Sequence, residues 1–146
     1  MVVNLICMDD KKIMKKLFDN IIGGNSIVPS EDAKKCFSNH FGEAISIEWI
    51  EIENGFEAMF YINNQEYISR ISRDGALLEY KINLNPSNLP DNIQTPALEH
   101  GELMNAISIH KANQDSIYEL ITRNKSLERF TVLYNANGTF IKKEKL

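Results

Sequence analysis

Cys36 and His40 stand four residues apart in a segment whose apolar side chains recur with helical spacing. That spacing puts a thiol and an imidazole on one helix face, as a nucleophile with its base or as half of a metal site. Cys36 also falls on the same stripe as Phe37 and Phe41, where a small thiol packs as a core residue. The core reading is the stronger of the two. A second concentration of chemistry is acidic: Glu43, Glu48, Glu51, Glu53 and Glu57 lie close together in sequence. Two such carboxylates could exchange a proton with a substrate or hold a hard cation. In the run from Ile45 to Glu53, however, the apolar positions are Ile45, Ile47 and Trp49 and then shift phase to Ile50 and Ile52. This predicts a β-bulge near Trp49 and turns Glu48, Glu51 and Glu53 toward solvent. His100 and His110 have no metal-ligand spacing. Gly23-Gly24 follows a helical pattern, whereas a phosphate-binding loop precedes one. Asn137-Gly138-Thr139 fits a glycosylation acceptor but coincides with a hairpin turn signal. The expectation is a chain with no catalytic residues, no metal and no cofactor.

The elements that would position these residues are legible from periodicity. Ile13, Met14, Leu17, Phe18, Ile21 and Ile22 make one stripe of a helix over residues 10–22, with Lys11, Lys12, Lys15 and Lys16 on its other face. A basic amphipathic helix can lie on an anionic membrane, but without Trp on its apolar side it reads as cover for a core or a partner subunit. Ser30 is a suitable N-cap for a second helix, with Glu31 and Asp32 in its first turn and Ala33, Cys36, Phe37 and Phe41 on its apolar face. Strand-like segments follow at 44–53, 56–62, 66–73 and 76–84, divided by the turn signals Asn54-Gly55, Asn63-Asn64 and Asp74-Gly75. After a break at Pro86–Pro90 the order repeats. A helix is expected over 91–100, weakened by Pro96, then strands at 103–111, 117–123, 127–134 and 139–144. Asn137-Gly138 stands before the last strand as Asp74-Gly75 does in the first half. The predicted fold is α+β: two helix-plus-four-strand antiparallel repeats, 30–85 and 86–146, forming one sheet with helices on one face. Residues 1–29 precede this domain, 30–146. Each half alone would bury too little surface, so the two are expected to make a single domain.

With 146 residues, 43% of them apolar and 25% charged, the chain has the composition of a globular protein and not of a disordered one. Its formal net charge of −4 excludes the basic footprint of a general nucleic-acid binder. The acidity is uneven. Residues 30–85 carry five basic and ten acidic side chains, whereas residues 86–146 carry seven of each. No run approaches the ~20 apolar residues of a membrane-spanning helix. The start lacks the basic region and small-residue cleavage site of an export signal, which favours the cytoplasm. Cys7 and Cys36 could bridge in an oxidising compartment, but two cysteines at this spacing more often remain buried thiols.

The stretch from Ala33 to Tyr80 resembles the bacterial PepSY-like proteins grouped with β-lactamase-inhibitor-like folds. The likeness rests on a Phe-rich helix ending at Phe41, the Trp49 strand, the strand Gly55-Phe56-Glu57-Ala58-Met59-Phe60, a short hairpin, and Asp74-Gly75 before a final strand. It continues through Asn88-Leu89-Pro90 and the closing strands to Gly138. Gly42 stands where family members often have Pro. The resemblance implies tandem α+β repeats sharing an antiparallel sheet, a binding or inhibitory role, and no catalytic residues. It also implies export, against the reading of the N-terminus.

An antiparallel sheet covered by helices on one side leaves its other side to water or to a partner. Alternation assigns Phe56, Ala58, Phe60 and Ile62 to the covered face and Glu57, Met59 and Tyr61 to the other, with Arg70 opposite in sense to Ser69 and Ile71. Farther on, Tyr118 and Leu120 oppose Ile117 and Ile121. Tyr, Met and Arg are enriched at interfaces. The expected binding residues are therefore Glu48, Glu57, Met59, Tyr61 and Arg70. The expected partner is another protein or a second copy in a homodimer, not a nucleic acid.

Overall fold

The structure is a computed structural model that describes residues 27–146. The amphipathic stretch 10–22 and Cys7 lie outside the described residues. Helix α1 (Glu31–His40) starts at Ser30, whose Oγ accepts a hydrogen bond from the Ala33 N–H at 3.2 Å and donates to the Arg73 carbonyl at 2.8 Å. The cap thus satisfies an orphan helix donor and also fastens the helix to the turn that precedes β4. Ala33, Cys36 and Phe37 form the buried face of α1.

Four strands follow: β1 (Ile45–Ile52), β2 (Gly55–Ile62), β3 (Gln65–Ser72) and β4 (Leu77–Leu84). Asn63 and Asn64 join β2 to β3 with φ of 50° and 62°. Positive φ at both central residues is the mirror-image turn that suits the twist of paired strands, and Asn tolerates it. A 3-10 turn, Pro86–Asn88, leads into helix α2 (Asp91–Ala97), which gives way to a second 3-10 turn, Leu98–His100. The expected helix over 91–100 thus changes type at Leu98. Pro96 has no N–H to offer the Asn92 carbonyl, so the α-helical ladder is already broken before its third turn. Strands β5 (Glu102–Lys111), β6 (Ile117–Arg123), β7 (Arg129–Asn135) and β8 (Phe140–Lys145) complete the chain. All eight strands belong to one antiparallel sheet and follow one another in chain order, β1 to β8.

The chain divides into two compact units, with the boundary between Tyr80 and Lys81, within β4. In the first unit Phe60 is fully buried, with ring centroids 4.8 Å from both Phe37 and Phe41. Trp49 packs edge-on to Phe37 at 5.1 Å and Tyr67 stacks on Phe60 at 5.4 Å. Ala58 and Ile71 complete this aromatic core. The second unit has a smaller, mainly aliphatic core, in which Leu89, Ile93 and Ala97 pack with Ala106, Leu120, Val132 and Tyr134.

Two local expectations change. The bulge in β1 lies between Ile45 and Glu48, where Ser46 adopts φ 53°, and not near Trp49. From Glu48 to Ile52 the alternation is therefore unbroken. Trp49 and Glu51 take the helix side opposite Ala58 and Phe56, while Glu48 and Ile50 take the other side opposite Met59 and Glu57. Glu48 and Glu51 do not share a face, and Ile50 does not join the core under α1. Leu127, expected to open a strand, sits instead in the turn before β7 with φ 64°, its N–H bonded to the Asn124 carbonyl at 3.0 Å. The Asn124 side chain accepts from the Ser126 and Glu128 N–H groups and holds that turn.

Candidate functional site

Pairing across β1, β2 and β3 assembles the candidate surface. On the face turned away from the α1 core, Glu48 stands opposite Met59, Ile50 opposite Glu57, Glu57 opposite Arg70, Met59 opposite Ile68, and Tyr61 opposite Glu66. All five residues singled out in the sequence, Glu48, Glu57, Met59, Tyr61 and Arg70, lie on this one face. They differ in how far they reach water. Glu48 is exposed and Met59, Tyr61 and Arg70 are half-buried, whereas Glu57 is only 3% exposed.

Glu57 is fixed by charge. Its Oε2 lies 2.8 Å from Arg70 Nε, with the carboxylate side buried and the guanidinium side half-open. A buried carboxylate paired in this way is held in place, and removing Arg70 takes a charge partner from a carboxylate that is shielded from water, which destabilises the fold. Tyr61 donates its hydroxyl to Glu66 Oε2 at 3.1 Å. Burial pushes the Glu66 carboxyl above the ordinary carboxylate range, and the Tyr61 hydrogen bond works against that shift. Tyr61 is itself pushed up, first by burial and then by the neighbouring Glu66 charge. Ile50, Glu66 and Ile68 are members of this face that sequence reasoning missed. Glu66 was within reach of it, because a two-residue turn at Asn63-Asn64 places Tyr61 across from Glu66.

This arrangement presents two locked polar pairs beside a Met and a Tyr. Among the described residues, no group of His, Cys, Asp and Glu side chains is placed to hold a metal ion. The Cys36–His40 pair is brought together, with Sγ 3.7 Å from Nδ1, but Nδ1 is 2.9 Å from the Cys36 carbonyl oxygen, a closer partner. The Cys36 thiol is free, buried, and raised by that burial, the opposite of an activated thiolate.

A hydroxyl-imidazole chain in the second unit went unnoticed in the sequence. His110 Nε2 lies 3.0 Å from Ser108 Oγ and its Nδ1 lies 2.8 Å from Ser116 Oγ. Burial lowers the His110 pKa, which favours the neutral ring that can accept from one hydroxyl and donate to the other. Ser108 is 3% exposed, so its hydroxyl is not presented to a substrate. This chain joins β5 to the loop that follows it.

No family model matches the chain, and no curated protein does. Solved structures match it closely in fold. A BLIP-like protein from Bacteroides fragilis superposes with a TM-score of 0.74 at 13% identity, over 86% of this chain and 92% of that one. A DUF2874 family protein from Bacteroides uniformis gives a TM-score of 0.73 at 13% identity, over 81% and 90%. A protein from Bacteroides eggerthii, provisionally described as periplasmic, gives 0.72 at 10% identity, over 82% and 90%. At these identities the chain shares their fold: a single antiparallel sheet made of two helix-plus-four-strand units. The resemblance to PepSY-like, β-lactamase-inhibitor-like proteins is met at that level.

Proposed function

We propose that this chain is a non-enzymatic binding protein, inhibitor-like in mode, that grips another protein with the β1–β3 face formed by Glu48, Glu57, Met59, Tyr61 and Arg70. The observation that carries this reading is pre-organisation. Arg70 and Tyr61, two residue types favoured at interface hot spots, are each held by a buried carboxylate on the same face, which lowers the ordering cost of association. Met59 lies between them on β2 as a half-buried apolar contact. The likeness of the fold to a BLIP-like protein supports the same reading.

Affinity capture from bacterial extracts tests it, with wild type run beside Tyr61→Ala and Met59→Ala and recovered partners measured by titration. Tyr61→Ala should weaken a genuine partner roughly thirtyfold, the loss of about 2 kcal/mol typical of a hot-spot residue. Equal affinity of every partner for all three proteins would remove this face as the contact surface.

A further inference from the structure

The two outermost strands of the sheet carry opposite charge. Among the described residues, β1 is bonded on one side only, to β2, and β8 on one side only, to β7. Each leaves a row of backbone donors and acceptors that another strand can take up. Around β1 the charges are all acidic, Glu43, Glu48, Glu51 and Glu53. β8 carries Lys142, Lys143 and Lys145 against a single Glu144, and all six of its residues are exposed. Apolar side chains stand out on both edges: Ile45 is 61% and Ile47 41% exposed, Phe140 49% and Ile141 46%. Register irregularities leave Glu48–Ile52 as the regular part of β1 and Lys142–Lys145 as that of β8, segments of similar length. The ion pairs that engage these residues internally, Arg73–Glu51, Lys142–Glu144 and Lys145–Glu128, are exposed and contribute little, so an incoming strand can displace them.

Charge then decides which edges can meet. β1 against β1 brings together two strands of net negative charge, and β8 against β8 two of net positive charge. Only β1 against β8 neutralises both. We propose that the β1 edge of one molecule receives the β8 edge of a second copy, continuing the sheet from chain to chain. The contact is head-to-tail, with unlike surfaces meeting, so each added copy leaves one acidic and one basic edge free and growth is open-ended.

Sedimentation velocity of the full chain at low and high salt tests this. Wild type should show a sedimentation coefficient that rises with concentration at low salt and falls back to the monomer value when salt screens the edges. Glu48→Lys/Glu51→Lys, with both edges basic, and Lys142→Glu/Lys143→Glu, with both edges acidic, should each remain monomeric, with unchanged far-UV circular dichroism. Mixing the two variants should restore assembly, because each then supplies the edge that the other lacks. A misfolded variant would not be rescued in this way. A wild-type chain that stays monomeric at every concentration in low salt overturns the proposal. So does assembly that survives either reversal, or a mixture that fails to assemble when wild type does.

Discussion

Glu66 sits beside Tyr61 with its carboxyl raised by burial, which makes it a net cost to the fold once ionised. A group raised in the folded state contributes stability that is complete below its unfolded pKa, near the ordinary value of 4.5, and lost as pH climbs through the folded value. Glu66→Gln keeps an amide that can bond the Tyr61 hydroxyl and removes the titration. The Tm difference between variant and wild type should therefore move in the variant's favour as pH rises from below that ordinary value to neutrality. Parallel Tm profiles for the two proteins would mean that Glu66 titrates as it does in the unfolded chain. A second residue-level cost lies in the cores. Thr122 Oγ1 and Ser69 Oγ are buried with no hydrogen-bond partner among the described residues. Thr122→Val replaces an unsatisfied hydroxyl with a methyl of the same shape and should raise stability by roughly 1 kcal/mol in urea denaturation. A loss of that size would show that the hydroxyl is satisfied after all. Neither feature could be read from alternation alone. Alternation gives a residue's face, whereas satisfaction depends on what reaches it there.

The repeat becomes physical at the level of elements. Gly75 and Gly138 both adopt φ 88°, a conformation that costs a side chain about 1–2 kcal/mol. A Cβ on Gly75 would lie 2.8 Å from the Asp32 carbonyl oxygen, and one on Gly138 would lie 2.6 Å from that of Asn92. Asp32 and Asn92 are the second residues of α1 and α2. In each unit, then, the last turn of the sheet packs backbone against the first turn of the helix. Gly75→Ala and Gly138→Ala should each destabilise by at least ~1–2 kcal/mol in equilibrium unfolding, from strain before any clash is counted. A change within experimental error at either site would mean that the turn can move off its helix. The Asp74-Gly75 and Asn137-Gly138 signals were legible because turn chemistry is local. The site of the β1 bulge was not, because an apolar run with one phase shift allows the extra residue at several positions. Only the pairing of β1 with β2 places it, between Ile45 and Glu48, where Ser46 takes a positive φ.

At the scale of the whole molecule, the boundary between the two compact units cuts β4 between Tyr80 and Lys81, so neither unit ends on a complete element. The single tryptophan provides a one-sided reporter: Trp49 packs on Phe37 in the first core and has no counterpart in the second. Leu120 is fully buried in the second core, and Leu120→Ala should cost about 2–5 kcal/mol there. If the units unfold together, the midpoint of the Trp49 fluorescence change should fall with Leu120→Ala as far as the midpoint of the far-UV circular dichroism change does, and the two curves should coincide. Phe60→Ala in the first core, at about 3–5 kcal/mol, should shift the same single transition. A Trp49 midpoint that ignores Leu120→Ala while circular dichroism resolves an earlier step would show two independently folding units. The acidic β1–β3 surface would then be stable without the neutral second half.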